Sequence, residues 1–566
     1  MKNNILKYLL VFLVFAGTIT SCTKDFNEIN KNPNAILPDE ASARYFLTKA
    51  EYRLYASGRY TYWRANLIHA DRYAGYFCFG NSGSWWNDEL GYKFHGGYTG
   101  ATWGLYGGYF GVINTFLKLT QQGGDFENPL MEAVGKILEA LYYQQYTDVF
   151  GEVPYSEAGD PDIKLPKFDT QKDIYQGIIN ELNEAMATIG DATATGTGVD
   201  DLGSNDVIFG GDLQKWKKFA NSAKLRIALR AYGAPGADFA ETAINECLSS
   251  GQFMEDFGAI LEKDNAISQW NSSSYADIWH RFGGKGSKWK VSQTMINYLR
   301  DYNDPRLEKY ADPIPGGDIS LKRPLAKDNE EAYNKFPKRL DFIKSLFDEA
   351  KVEYTVENVG DTIFNISIPE NTYYVGQPTR LGSGIKSMAK WEFFSSPDLY
   401  VIGLDPDDNN IAPEIIMTAA ETYFLRAEAA VRGFGAGNAQ ELFTKGIEAA
   451  MALYNVDGSD YIANADLAQL NGSDEENLEK IAIQRWIASY TDGFEGWADV
   501  RKSGYPKALS QGVSDPDIYG LGDIDGDYPT RMQYAGSAYN LNGAHVDEAV
   551  ARQGADKQNT PLWWQK

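Results

Sequence analysis

The strongest constraint on this chain is a series of apolar residues at helical spacing, each run opening on a residue able to cap a helix. Asn128-Pro129 supplies a cap and a first-turn proline, after which Leu130, Val134, Ile137, Leu138 and Leu141 fall on one face. Thr170 opens a second run (Ile174, Ile178, Leu182, Met186, Ile189) that Gly190 stops. Asp212 opens a third, carrying Trp216, Phe219, Ala220, Ala223 and Ile227. Ile416, Ala420, Tyr423, Phe424, Ala427 and Val431 read as a fourth, ending at Gly433. Asn438, with Glu441 three residues later, reads as a capping box before Leu442, Ile447, Ala450 and Met451. Helices joined by turns this short fold back as hairpins, and hairpins stack. The expected fold class is therefore mainly α, without a strict repeat. One β-hairpin is expected where Val352–Val356 and Ile363–Ile368 alternate around Asn358-Val359-Gly360-Asp361. Segments 190–206 and 311–335 read as loops, and residues from 505 onward as mostly irregular.

The N-terminus speaks to location. Lys2 and Lys7 precede an apolar run, Ile5–Ala16, that is too short to span a bilayer and suits a signal-peptide core. Ile19-Thr20-Ser21-Cys22 follows and resembles a lipobox, in which cleavage before Cys22 leaves its thiol to carry lipid. Thr23-Lys24-Asp25 resembles the short acidic export tag of surface lipoproteins. The expected organisation is a signal peptide over 1–21, a lipidated tether over 22–40, and a helical domain over 41–566. Loop insertions are expected near 80–100, 269–290, 311–395 and 505–566. The formal charge is −24, and loss of residues 1–21, which hold two lysines and no acids, makes it −26. That sign argues against nucleic acid and against anionic lipid surfaces. With Cys22 lipidated, only Cys78 and Cys247 remain, enough for one optional disulfide and no disulfide scaffold.

Gly80–Asp88 reads GNSGSWWND, two tryptophans in a run of Gly, Ser and Asn outside any helical or strand pattern. From Tyr52 to Phe110 the chain holds 18 Phe, Trp and Tyr in 59 residues, so most of that set is expected to fill core. The part from Tyr73 to Tyr109 is so rich in glycine that much of it is not expected to be regular helix. Trp85 and Trp86 lie apart from the rest. An aromatic ring covers the apolar face of a sugar while Asn and Asp reach its hydroxyl rim, and Asn81, Asn87 and Asp88 are adjacent.

Five blocks occur in order: TDVFGEVPYSEA from Thr147, WKKFANSAKLRIALR from Trp216, SQTMINYLRDYNDPRL from Ser292, PEIIMTAAETYFLRAEAAVRG from Pro413 and QRWIASYTDGFEGWADVRKSGYP from Gln484. Behind a lipobox, this ordered set resembles the SusD/RagB family of outer-membrane nutrient-binding lipoproteins over nearly the whole mature chain. The resemblance implies tetratricopeptide-like helix pairs as a scaffold, with a ligand site built from loops. It implies a SusC-like TonB-dependent β-barrel as partner, a position in the outer membrane facing the cell exterior, capture of oligosaccharides or in some branches peptides, and no enzymatic activity. The blocks themselves read as fold markers, with Trp486 and Trp497 in the core. The family's contacts come from the loop after the early helices and from the segment just before the SQT block, here Gln269–Lys290. The expected ligand-binding residues are Trp85, Trp86, Asn87, Tyr275 and Trp279, with Arg281 and Arg380 as polar arms; Val375–Lys390, which includes Gln377, is a third candidate loop.

The rival reading is a helical glycoside hydrolase, which needs two facing carboxylates with separated pKa values. Asp148 with Glu152 and Glu495 with Asp499 have only spacing to recommend them, and the second pair reads as a solvated or salt-bridged helix face. The histidines at 69, 95, 280 and 545 are scattered, and no zinc, phosphate-loop or nucleophile-elbow motif occurs. A structural surface or adhesion protein is the other rival; it would explain the acidity and the anchor but not two aromatic, glycine-rich loops. No cofactor is expected. Asp523–Asp527 and Asp405–Asn409 have the oxygen-rich spacing of a calcium loop but lack its Gly and Glu, and read as turns.

Overall fold

The helix starts read at Asn128, Thr170, Asp212 and Asn438 recur at the same residues in a computed structural model. It describes residues 41–55, 63–79, 92–262, 289–402, 412–435 and 437–566. Its principal helices are α1 (Arg44–Tyr55), α2 (Gly96–Thr120), α3 (Pro129–Phe150), α4 (Gln171–Ile189), α5 (Leu213–Ala231), α6 (Asp238–Ser250), α7 (Gln293–Asp301), α8 (Glu330–Glu349), α9 (Ala419–Val431), α10 (Ala439–Leu453), α11 (Asp474–Ala488), α12 (Gly493–Ser503) and α13 (Gly536–Gln553). The Asn128 side chain accepts from the amides of Leu130 and Met131, Thr170 from Asp173, and Asp212 from Gln214 and Lys215. Such caps contribute about 1 kcal/mol each. Asn438 caps α10 through the Glu441 amide, but the reciprocal capping box forms at Ser473 and Glu476, at the start of α11. Consecutive helices pack as hairpins: α3 on α4, α4 on α5, α5 on α6, α9 on α10. Around α9, α10 and α11, Phe424, Phe443, Ile447, Met451 and Ile481 form a core of their own beside the larger one.

Several expectations are corrected. Among the described residues of the glycine-rich stretch, Phe77–Phe79 is strand, whereas those from Gly96 on open a 25-residue helix, α2, because Leu105, Tyr106, Tyr109, Ile113 and Phe116 bury one face against α1 and α3. Burial of those large side chains outweighs roughly 1 kcal/mol lost per glycine. The fourth helix starts at Ala419, with Thr418 as its cap. Before it lies a strand, Glu414–Met417, buried on both faces and paired antiparallel with Ala259–Leu261, so Ile416 belongs to the strand. Segment 311–335 holds a strand, Gly317–Lys322, and the first turns of α8. That strand joins the expected hairpin, whose first strand runs Thr355–Val359 rather than Val352–Val356, as a three-stranded sheet with Ile363–Ile368 in the middle. The region after 505 holds α13, 18 residues long with a kink at Asn542. Cys78 and Cys247 are buried, unpaired thiols. The Cys22 anchor and residues 1–40 as a whole lie outside the described residues.

Glu495 and Asp499 share a face of α12, and that face is interior rather than solvated. Arg230 of α5 binds Glu495 and lies 2.7 Å from Asp148 of α3 and 3.7 Å from Asp499. Arg226, one turn earlier, pairs with Glu421 of α9 at 2.5 Å, and Arg485 of α11 bridges Glu428 and Asp499 at 2.9 Å each. Burial pushes the Glu495 carboxyl up, but the Arg230 and Arg226 guanidiniums outweigh it and hold the carboxyl below its ordinary range. One buried ionic cluster thus ties five helices to one another. Trp486 and Trp497 are fully buried, their indole N–H groups donating to the carbonyls of Ala74 (2.7 Å) and Pro529 (2.8 Å).

Glu51 of α1 is fully buried and accepts from the Val207 amide at 2.9 Å. Burial, with Asp206 beside it, pushes its carboxyl from 4.5 up to about 10, so it is protonated at neutral pH. A raised folded-state pKa means its contribution is fully present below 4.5 and is lost as pH rises towards 10. Glu51→Gln supplies the protonated shape permanently. It is expected to stabilise the protein at pH 8 by about 1–2 kcal/mol and to flatten the decline in stability between pH 5 and 9, measured by urea unfolding. An unchanged pH profile would show that Glu51 is ionised in the fold.

Candidate ligand-binding site

Three short apolar residues, Phe77–Phe79 (β1), form a strand after the turn at Gly75, where the chain has already committed Tyr76 and Phe77 to the core. Their partner is Trp289–Val291 (β2), antiparallel, with Phe79 opposite Trp289 and Cys78 opposite Lys290. The register has a direct consequence for the two aromatic segments. Residues 80–91 leave the ladder at Phe79, and residues 263–288 enter it at Trp289, its direct partner. Trp85, Trp86, Asn87, Tyr275, Trp279 and Arg281 lie outside the described residues, as does His280. Their tethers are fixed: Trp86 is seven residues beyond Phe79 and Arg281 eight before Trp289, and a chain reaches at most about 3.5 Å per residue.

The ladder is rigidly mounted. The rings of Phe79 and Trp289 meet edge-on at 5.1 Å, and both are buried. The far end of the first segment is held as firmly, at Tyr92. Its hydroxyl donates to the Arg72 carbonyl at 3.0 Å, its ring lies 4.7 Å from the Arg380 guanidinium carbon, and its φ of 60° places it in the left-handed region. Phe94, next but one, is anchored through its amide to Asp523 at 2.9 Å and keeps 39% of its surface exposed.

The third candidate loop joins the same ladder. The Gln377 amide donates to the Val291 carbonyl at 3.0 Å and its carbonyl accepts from the Gln293 amide at 2.8 Å. Its side-chain amide donates to the Phe79 carbonyl at 3.3 Å, so this fully buried glutamine clamps β1 as well as β2. Gln377 is therefore a brace of the ladder and not an exposed polar group. Arg380 is corrected in the same sense. It is 3% exposed, and its guanidinium donates to the carbonyls of Gly526 (2.6 Å), Asp527 (2.7 Å) and Leu521 (2.8 Å). It braces loop 375–390 against loop 519–527 and is no free arm. The same bonds occupy the oxygen-rich turn: Asp523 accepts from Phe94 and Asp527 from Asn559 at 2.8 Å. Among the described residues no group of three or more His, Cys, Asp or Glu is placed to hold a metal ion.

Sequence reasoning passed over Lys290. It is fully buried on β2, its ammonium 2.8 Å from the Ser396 hydroxyl and 5.1 Å from the Trp391 ring. Burial pulls its pKa down to about 7 against the opposing pull of Glu392 and Asp312. A lone lysine in a three-residue strand carries no sequence signal of its burial. Gly376 is the other silent position: a Cβ there would run into the backbone of Ser292 and Gln293. Gly376→Ala is expected to cost about 1–3 kcal/mol, read as a lowered urea midpoint, because backbone rather than a side chain must yield. Full stability in the variant would show that the loop can part from the ladder freely.

Stacked helical hairpins around a short ladder, at which one aromatic segment begins and another ends, define the class of fold. Residues 33–535 match the SusD-like family model described as "Starch-binding associating with outer membrane", and the chain belongs to that family. Solved structures agree over almost the whole length. A chitin-binding protein matches with 25% identity and a TM-score of 0.68, over 93% of this chain and 100% of that one. A SusD homologue from Bacteroides uniformis matches with 22% identity and a TM-score of 0.69, over 93% and 99%. A chitin-binding SusD homologue from Flavobacterium johnsoniae matches with 21% identity and a TM-score of 0.69, over 93% and 98%. No curated protein matches. The family is associated with the outer membrane, and among the described residues no helix is long and apolar enough to cross a membrane.

Proposed function

We propose that this protein captures oligosaccharides at the cell surface and hands them to a SusC-like TonB-dependent barrel, held to the outer membrane by lipid on Cys22. The observation that carries the reading is the Phe79–Trp289 register, which starts one aromatic segment where the other ends. Trp85, Trp86 and Asn87 on one segment and Tyr275, Trp279 and Arg281 on the other are the proposed contacts, ring faces for the sugar and polar tips for its hydroxyls. Chitin-binding neighbours of the same fold support a glycan over a peptide. The mechanism is binding and release without covalent chemistry. In support, both carboxylate pairs considered for a hydrolase are engaged by arginines, Glu152 by the partly exposed Arg552, and Asp148, Glu495 and Asp499 by the buried Arg230 and Arg485. Calorimetry of the form lacking residues 1–22, against neutral oligosaccharides and short peptides, tests the reading. One glycan class should bind and stay intact. Binding of peptides alone would move the protein to the peptide branch, and cleaved glycan would make it an enzyme.

A further inference from the structure

The buried ionic cluster borders a small internal cavity. Its polar lining comes from the end of α1 (Tyr55), from α3 (Gln144, Asp148), from α5 (Arg226) and from the start of α12 (Asp492, Glu495). The volume is about 20 Å³, above the roughly 10–15 Å³ that seats one water and too little for an organic ligand. Gln144 is 3% exposed and is the one member whose bonding is incomplete on both counts that matter. Its Nε2 donates to Glu495 Oε2 at 3.5 Å, at the outer limit of a hydrogen bond, and its Oε1 accepts from no group among the described residues. Turning the amide over is no remedy, because that sets Oε1 against the carboxylate. Glu495 is unevenly served as well. Arg230 binds its Oε1, and Arg226 lies 3.7 Å from the same oxygen, so Oε2 keeps only the long bond from Gln144. The Arg226 guanidinium spends Nε and Nη2 on Glu421 and the Ile416 carbonyl, and its Nη1 makes no hydrogen bond among the described residues.

We infer that this cavity is a binding site for a single water molecule, which donates to Gln144 Oε1 and Glu495 Oε2 and accepts from Arg226. The lining asks for a ligand that donates twice and accepts once, and at this size water alone does both. A cation would satisfy the two acceptors but would be pressed against the Arg226 guanidinium, and an anion would be pressed against Asp148 and Glu495. Buried acceptors are almost always paired, so an unpaired Gln144 Oε1 beside a cavity of one-water size points to its own partner. Held by groups of α3, α5 and α12, the water belongs to the structure rather than to solvent, and it completes the bonding of the cluster where the arginines do not reach. The site is independent of residues 80–91 and 263–288 and of any ligand they bind.

A high-resolution crystal structure of the full-length protein in detergent tests the site directly. One density peak is expected at about 2.5–3.0 Å from both Gln144 Oε1 and Glu495 Oε2. Absence of density there would overturn the inference. Anomalous scattering at that position after a rubidium soak would overturn it too, by making the occupant a cation. Urea unfolding of the full chain gives an independent reading through Gln144→Met, which nearly keeps the side-chain volume and removes the amide. With water bound, methionine takes away one of its anchors and leaves the water and Glu495 Oε2 short of partners, so the urea midpoint should fall. Without water, the same change removes an unsatisfied buried acceptor, so a midpoint that holds or rises would overturn the site. The bond from Gln144 Nε2 to Glu495 is too long to decide the sign of either result.

Discussion

Arg230→Met is expected to lower the unfolding free energy by about 3–5 kcal/mol, the usual cost of removing one partner from a buried ionic cluster. Arg230 is 4% exposed and serves Asp148 and Glu495, carboxylates of two different helices. Methionine keeps the stem's packing and removes the charge, so the loss reports the carboxylates left behind. Asp148 would retain the Tyr175 hydroxyl at 2.5 Å and the Trp564 indole at 2.9 Å, whereas Glu495 would keep only the longer contacts to the Gln144 amide at 3.5 Å and Arg226 at 3.7 Å. The pH dependence has a definite sign. In the parent the folded-state pKa of Glu495 is depressed, so its contribution is present above its ordinary value near 4.5 and is lost as pH falls through the folded value. Without Arg230 that pKa rises, and the variant gains relative stability on acidification. Urea unfolding at pH 7 and pH 4 should show the gap between variant and parent narrowing. A gap of under 1 kcal/mol at pH 7 would mean that water or Arg226 and Arg485 take over the charge, and that the cluster is not what fixes α3, α5 and α12.

Replacing Trp85 and Trp86 together by alanine is expected to reduce affinity for the glycan that the protein binds by at least about a hundredfold, since each stacked ring in a binding hot spot contributes roughly 2 kcal/mol or more. The stability of the fold should change little, because both residues belong to the segment between two independently fixed points, Phe79 and Tyr92. The decisive measurement is the pair: calorimetric affinity together with the urea midpoint. Affinity lost at a constant midpoint places the tryptophans at the ligand. A midpoint that falls with affinity makes them packing residues, and unchanged affinity moves recognition to residues 269–290 or elsewhere.

What could be read from the chain alone was local. Asn128, Thr170, Asp212 and Asn438 cap the helices they were read to cap, because a cap and the apolar face behind it are set by residues within one or two turns. The order of the five blocks was equally legible, and it specified the family. The burial of Trp486 and Trp497 followed from side-chain size. What escaped depends on partners far along the chain. Nothing near Ile416 says that EIIM meets Ala259–Leu261 and becomes a strand, and nothing within the glycines of α2 says that α1 and α3 will cover its other face. Glu495 and Asp499 read as a solvated or salt-bridged helix face, and only the tertiary structure buried it and brought Arg230 and Arg485 to it from other helices. Arg380 read as an arm for ligand, and tertiary structure spent it on three carbonyls. The site divides in the same way. The sequence named two aromatic segments about 200 residues apart, each by its composition. Only the pairing of Phe79 with Trp289 brought their ends together, because a three-residue strand has too little local pattern to choose its partner, and the choice falls to the core that the whole chain builds.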